Sequence, residues 1–271
     1  MIKSTPEVAW AEYIEAELTA VSGLISPLGF ALDKQQLHIG GERYLMTKNK
    51  LVLTGIRLSD AAKMVIKVSA HPDGKKEIEN EKKSRDLLRS LSFASDTLSM
   101  PEEIYYATKG NYLIFITGFI SQEKIFVEHS LEDQFFMIVR AFEAQEAFHA
   151  TTFEHMQSIN KTFPVWMAKD YIRSLGDFSK KIIEKYPEAG KALSKTADLL
   201  KTNEKIVDKY SNYLTHTDFV PHNFRIRNQS LSMLDCSAVQ FGNKYEGWAR
   251  LLNNMLIHSP DLEKALSKYI S

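Results

Sequence analysis

The sequence predicts an α+β chain in two parts, a sheet-rich first 118 residues and a mainly helical remainder. Between residues 36 and 118, short apolar or β-branched runs are punctuated by turn residues: Gly40-Gly41, Lys48-Asn49-Lys50, Ser59-Asp60 and Lys109-Gly110-Asn111. From about residue 131, apolar positions recur at helical intervals over long stretches. Near residues 224–227 and 231–234 the pattern returns briefly to strand.

The elements follow in order. Residues 6–27 read as an amphipathic helix, capped by Thr5, with Pro6 in its first turn and an apolar stripe of Val8, Tyr13, Leu18, Val21 and Leu24. Its expected role is to pack on a lobe, with partner binding as the alternative. Runs at 37–46, 51–55 and 64–69 form an antiparallel meander. A charged helix at 74–91 ends on Leu87, Leu88 and Leu91. Two more strands at 101–107 and 112–117 are joined by the Lys109-Gly110-Asn111 turn, so the first 118 residues run β-β-β-α-β-β. Residues 118–131 connect the two parts. Helices are expected at 135–150, 164–175, 178–185 and 189–213, then the two short strands, then a closing helix at 246–257.

Composition narrows the function classes. The chain has 271 residues, 44% hydrophobic, with 34 Lys plus Arg against 34 Asp plus Glu. That length suffices for one bilobal domain with a substantial core. A formal charge of zero lacks the basic footprint of a nucleic-acid binder, so no nucleic-acid partner and no membrane attachment are expected. The single cysteine, Cys236, permits no internal disulfide, and the N-terminal residues carry no apolar signal core. A cytoplasmic location is expected. Cys236 reads as a small buried filler rather than a nucleophile.

The chemistry concentrates in residues 214–235. Leu214-Thr-His-Thr-Asp-Phe-Val-Pro-His-Asn-Phe-Arg is followed by Leu231-Ser-Met-Leu-Asp235. An acid (Asp218), an amide (Asn223) and a second acid (Asp235) thus fall within eighteen residues. Kinase-type phosphoryl transfer needs such a set. One carboxylate orients the acceptor hydroxyl, while an amide oxygen and a second carboxylate hold a divalent cation against phosphates. Taken singly, each has a plainer reading: Asp218 and Asn223 as turn residues on a loop leaving a helix, His216 as a core histidine. Pro221 fixes the intervening turn by locking φ. Lys67, between apolar neighbours in Met64-Val-Ile-Lys-Val-Ser, wants an anion.

The spacing of His216, Asp218, Pro221 and Asn223 resembles the His-x-Asp-x-x-Pro-x-Asn motif of the aminoglycoside phosphotransferase and choline kinase group of the protein-kinase-like superfamily. The resemblance covers roughly residues 36–252 and implies a bilobal fold. Its first lobe (1–118, including the N-terminal helix) is an antiparallel sheet with one main helix that binds nucleotide. Its second (119–271) is a mainly helical catalytic lobe. It implies ATP- and Mg²⁺-dependent transfer of the γ-phosphate to a hydroxyl of a small molecule. Asp218 would be catalytic, His216 and Pro221 would support the loop, and Asn223 and Asp235 would bind the metal.

Lys67 resembles the phosphate-binding lysine, with a carboxylate partner among Glu77, Glu79 and Glu81. Glu81 is chosen because it precedes Leu88 by seven residues. Gly40 and Gly41 resemble a shortened phosphate-covering loop, and Ile116, Thr117 and Gly118 fall where backbone groups of the inter-lobe hinge would meet adenine. His149 resembles a structural histidine at a helix end. Cys236-Ser237 and Glu246 depart from the group's usual Phe-Gly-like and Asp residues. These departures keep open an alternative, a catalytically inactive nucleotide-binding or partner-docking module. The acceptor's identity and the oligomeric state are not given by the sequence.

Overall fold

Turn chemistry and periodicity place most elements where the sequence puts them. The computed structural model describes residues 6–36, 49–91, 98–122, 124, 126–227 and 230–270. The elements in chain order are α1 (Pro6–Ile25), β1 (Phe30–Leu32), β2 (Leu51–Arg57), β3 (Lys63–Ser69), α2 (Pro72–Ser90), β4 (Leu98–Ser99), β5 (Glu103–Lys109), β6 (Tyr112–Gly118) and α3 (Leu131–Thr162). Then come α4 (Ala168–Lys185), α5 (Gly190–Thr202), α6 (Glu204–Lys209), β7 (Tyr213–His216), β8 (Phe224–Arg227), β9 (Ser230–Met233), β10 (Val239–Gly242), α7 (Glu246–His258) and α8 (Pro260–Ile270). The expected strand at 37–46, the glycine pair Gly40-Gly41 and the Thr5 cap lie outside the described residues.

Contacts group the chain into two compact units, Met1–Asn80 with Pro101–Ile125, and Glu81–Met100 with Phe126–Ser271. The first unit is built on a five-stranded antiparallel sheet of order β1-β2-β3-β6-β5. Strand alternation sends Met64, Ile66 and Val68 of β3 to one face, where they join Val21 and Ile25 of α1, Leu51, Leu53, Ile114 and Ile116 in a core. Lys67 therefore faces the other way. It is only 7% exposed, and its register partners are Val52 and Phe115.

The second unit is mainly helical. Phe142, Ala144 and Ile138 of α3 pack with Leu251 and Met255 of α7 and with Leu262 and Leu266 of α8. Two small sheets sit within it: β7 pairs antiparallel with β10, and β9 lies between antiparallel β8 and parallel β4.

Three expectations about the second unit are corrected. The helix expected over 189–213 breaks at Asn203, ends at Lys209, and gives way to β7. Tyr-Leu-Thr-His is aromatic and β-branched, and three of its four residues are buried against β10. Asp218 thus follows a strand rather than a helix. Pro164 does not open a helix either. Residues 163–166 are extended beside β10, with Trp166 N–H donating to Phe241 O at 2.7 Å and Val165 bridging Phe241. The helix starts at Ala168, whose N–H donates to Asp208 Oδ1 at 2.7 Å, and runs unbroken through Gly176. β1, β4, β10 and α8 were not anticipated. The three strands have two to four residues each, too short for a period to show, but Leu262 and Leu266 of α8 were a readable i, i+4 pair.

Candidate active site

The site is assembled by the β8–β9 hairpin and the strand before it. Pro221 opens a 3-10 turn over Pro221–Asn223, closed by Asn223 N–H donating to Val220 O at 2.9 Å. The hairpin register runs from Phe224↔Met233 to Arg227↔Ser230, and Leu234 N–H donates to Asn223 O at 2.9 Å. Pairing therefore sets Asn223 alongside the segment that delivers Asp235. This adjacency is what the twelve-residue spacing encodes.

Asp218 and Asn223 are joined directly. Asn223 Nδ2 donates to both the carbonyl oxygen and Oδ2 of Asp218, each at 2.8 Å. With its nitrogen committed, the amide leaves Oδ1 as the atom able to meet a cation. Asp235 Oδ1 accepts the Ser237 N–H at 2.9 Å, an Asx-type turn that fixes the carboxylate just past β9. A carboxylate plus an amide oxygen is a hard-oxygen donor set of the kind Mg²⁺ takes.

His216 is the brace beneath them. Its Nε2 lies 2.5 Å from Asp235 O, and a carbonyl can only accept, so Nε2 carries the proton. Burial pushes the imidazole below its ordinary pKa, against the opposing backbone contact and charge of Asp235, so the ring stays neutral. The β7–β10 register continues the brace, with Thr217 N–H donating to Ala238 O at 2.9 Å. On the far side, α7 closes tightly on the loop. A Cβ on Gly247 would come within 3.0 Å of His216 O and 2.1 Å of Gln145 Nε2.

Sequence reading missed two arginines. Arg250 of α7 donates from Nε to Asp218 Oδ1 at 2.9 Å, so both Asp218 carboxylate oxygens are engaged while the side chain stays 41% exposed. Arg85 of α2 is fully buried. Its Nη2 lies 3.0 Å from Glu81 Oε1, its Nε donates to the same oxygen at 3.1 Å, and Nη2 also donates to Leu234 O at 3.1 Å, next to Asp235. The signal for Arg85 was present. Ile78, Glu81, Arg85 and Leu88 share one helical face, with the two opposite charges at i and i+4 between apolar ends.

Among the three candidate carboxylates, Glu77 pairs with Lys50 at 2.8 Å, Glu79 is exposed, and Glu81 is 1% exposed. In β6, Ile116 and Thr117 pair with Ile66 and Val65 of β3 on one side, and with Tyr105 and Glu103 of β5 on the other. Gly118 N–H donates to Glu102 O at 2.8 Å and Phe119 N–H to Lys63 O at 3.1 Å.

Other residues noted in the sequence have structural places. His149 is buried on α3, with Nδ1 3.4 Å from Glu146 Oε1 and its ring edge-on to Tyr213. Cys236 is fully buried in the core. Glu246 braces α4 and β10, accepting from Tyr171 Oη at 2.6 Å and Gln240 Nε2 at 3.0 Å. Burial raises its carboxyl above the usual range, against those two bonds. The folded state then binds a proton more readily than the unfolded chain. This contribution to stability is complete below the ordinary value of 4.5 and is lost as pH rises through the raised folded value. Glu246→Gln is therefore expected to gain melting temperature relative to the wild type as pH climbs from 4 to 7, read as the difference between two thermal-melt series. A difference independent of pH would refute the shift.

Comparison with known proteins bears mainly on the fold. One family description, the RIP homotypic interaction motif, matches residues 228–243. In this chain that stretch carries β9 and β10, with Val239 and Phe241 buried in the core. No curated protein matches the sequence. Among solved structures, a thermostable mutant of aminoglycoside phosphotransferase APH(4)-Ia in ternary complex with ADP and hygromycin B aligns with TM-score 0.63 and 16% identity, over 93% of this chain and 81% of that one. The streptomycin–ATP complex of APH(2")-IIa aligns with TM-score 0.55 and 19% identity, over 93% and 78%. Amicoumacin kinase hAmiN, with AMP-PNP, Ca²⁺ and Ami, aligns with TM-score 0.53 and 11% identity, over 94% and 73%. The APH(4)-Ia complexes include one in which an aspartate is replaced by alanine and one in which an asparagine five residues later is replaced.

Proposed function

We propose that this chain, which has the aminoglycoside phosphotransferase and choline kinase-like, protein-kinase-like fold, is a phosphotransferase that moves the γ-phosphate of ATP to a hydroxyl of a small molecule. The observation that carries the reading is the Asp218–Asn223 couple. The amide nitrogen is spent on the carboxylate, its oxygen is left for a cation, and the hairpin bonds Asn223 to Leu234, the residue before Asp235. The neighbours of this fold, named as phosphotransferases and kinases, were solved with ADP, ATP or AMP-PNP. The five-residue aspartate–asparagine spacing altered in APH(4)-Ia is that of Asp218 and Asn223.

In this reading Asp218 accepts a hydrogen bond from the acceptor hydroxyl, aligns its oxygen with the γ-phosphorus, and takes its proton as the new O–P bond forms and the bond from the γ-phosphorus to the β–γ bridging oxygen breaks, releasing ADP. Asn223 Oδ1 and Asp235 would hold Mg²⁺, which neutralises phosphate charge when bound. His216 and Pro221 keep these groups in register. Lys67, with Glu81, is assigned to the nucleotide phosphates. Gly40 and Gly41 are assigned to the phosphate-covering loop, and Ile116, Thr117 and Gly118 to the adenine edge.

The test pairs binding with transfer. Thermal shift and calorimetry with ATP are expected to show binding that strengthens with Mg²⁺, and γ-labelled ATP to label a subset of a hydroxyl-compound library. Asp235→Asn is expected to lose the Mg²⁺-dependent part of ATP affinity, on the order of tenfold or more. Absence of ATP binding by the wild type would end the proposal. Binding without transfer to any hydroxyl would favour an inactive module, the reading that Cys236-Ser237 and Glu246 keep in view.

A further inference from the structure

A half-exposed guanidinium, Arg250, stands against Asp218. Arg250 spends only its Nε on Asp218, at 2.9 Å. Among the described residues its two Nη groups have no partner, and its side chain is 40% exposed. Desolvation, with the nearby Arg250 and Arg225, holds His222 below its ordinary pKa against the charges of Asp218 and Asp235, so it adds no cation there. Arg225 is 6% exposed, its guanidinium tied to the Phe224 carbonyl at 3.1 Å.

A planar guanidinium with a spare edge, anchored beside the carboxylate that would receive a hydroxyl, is a two-donor seat for a second anion. We infer that the acceptor is an anionic hydroxyl compound, carrying a carboxylate or a phosphate that Arg250 holds while Asp218 takes its hydroxyl. This rests on the phosphotransferase reading and names the class of its substrate. An amine-bearing acceptor would instead set an ammonium against the guanidinium, and like charges at that range repel. A neutral acceptor would leave the donors to water.

The experiment uses the full chain with ATP and Mg²⁺ and three matched acceptor sets: hydroxy-carboxylates such as glycerate, phosphomonoesters such as glycerol 3-phosphate, and amino alcohols such as ethanolamine. One anionic set is expected to exceed the amino alcohols in kcat/KM by roughly tenfold or more, and which set it is distinguishes carboxylate from phosphate. Arg250→Gln is expected to raise the KM of the anionic acceptor about tenfold while the KM for ATP moves by less than about twofold. Arg250→Glu is expected to invert the preference toward amino alcohols. Amino alcohols as the best wild-type acceptors would overturn the inference. So would an Arg250→Gln loss expressed as an equal fall in kcat for every acceptor, because that would assign Arg250 to the transferred phosphoryl group.

Direct titration of glycerate and of glycerol 3-phosphate, followed by NMR in the wild type and Arg250→Gln, separates this inference from the reading beneath it. Anion binding that needs Arg250, with no transfer to any acceptor, would keep the anion site and sink the phosphotransferase. Transfer with no Arg250-dependent anion binding would do the reverse. Arg250 is a half-exposed ion-pair partner, so its variants are expected to fold, with melting temperatures close to the wild type.

Discussion

Asp218→Asn is expected to lower kcat about 10³-fold and to leave the Kd for ATP within about twofold. The change is nearly isosteric, so it tests charge rather than shape. In the wild type the two carboxylate oxygens accept from Asn223 Nδ2 and Arg250 Nε, and both bonds need an acceptor. An asparagine has one acceptor oxygen, so one of the two donors meets an NH₂ group and must turn away. If the oxygen stays on Arg250, Asn223 loses its side-chain partner, although its bond to the Asp218 carbonyl persists. The backbone of the loop should therefore hold. What disappears, in the proposed mechanism, is the base that aligns and deprotonates the hydroxyl. Single-turnover kinetics with γ-labelled ATP separate this from a binding defect. A kcat within threefold of the wild type would remove Asp218 from the mechanism. Asp218→Glu lengthens the side chain while keeping its charge, and should lose most of the rate as well, since positioning is most of what the fold supplies to phosphoryl transfer.

The motif was legible because its geometry is local. Asp218 to Asn223 is one turn, and Asn223 to Asp235 is one hairpin, so spacing in sequence fixes spacing in space. His216 was legible for the same reason, being two residues from the acid it supports. Arg250 was not. It lies thirty-two residues past Asp218 and reads as a surface charge on a closing helix, and only the packing of α7 at Gly247 brings it to the loop. Asp218 was expected on a loop leaving a helix because the helical period that ends at Lys209 was carried four residues too far, to Tyr213, so the strand Tyr213–His216 went unread. There the partner strand, Val239–Gly242, is distant in sequence and only four residues long. Short strands that exist because a remote segment pairs with them leave little local signal. The N-terminal sheet was easier, since its turns carry Gly, Asn and Asp at the reversal points.

Arg85→Met is expected to destabilise the second unit by about 3 kcal/mol, lowering its melting temperature by roughly 6–12 °C. Arg85 has no solvent exposure and Glu81 has 1%, so neither charge has water to fall back on. The guanidinium gives two contacts to Glu81 Oε1 and one to the carbonyl of Leu234. Methionine fills similar space without donors. The carboxylate would then be buried without this cation, and the carbonyl one residue before Asp235 would lose a donor. Removing one partner of a buried ion pair costs more than the pair was worth, even though burying the pair was itself expensive. Pairing the change with Glu81→Gln should return part of the loss, because a neutral amide in that place costs less than a buried carboxylate that has lost this guanidinium. Equal stability of the single and double variants would show that packing, not charge, was lost. Arg85 also bonds the residue next to Asp235, so Arg85→Met should weaken Mg²⁺-dependent ATP binding at temperatures where the chain is still folded. Thermal melts followed by calorimetry on the same samples read both effects, and unchanged Mg²⁺ dependence would confine Arg85 to stability.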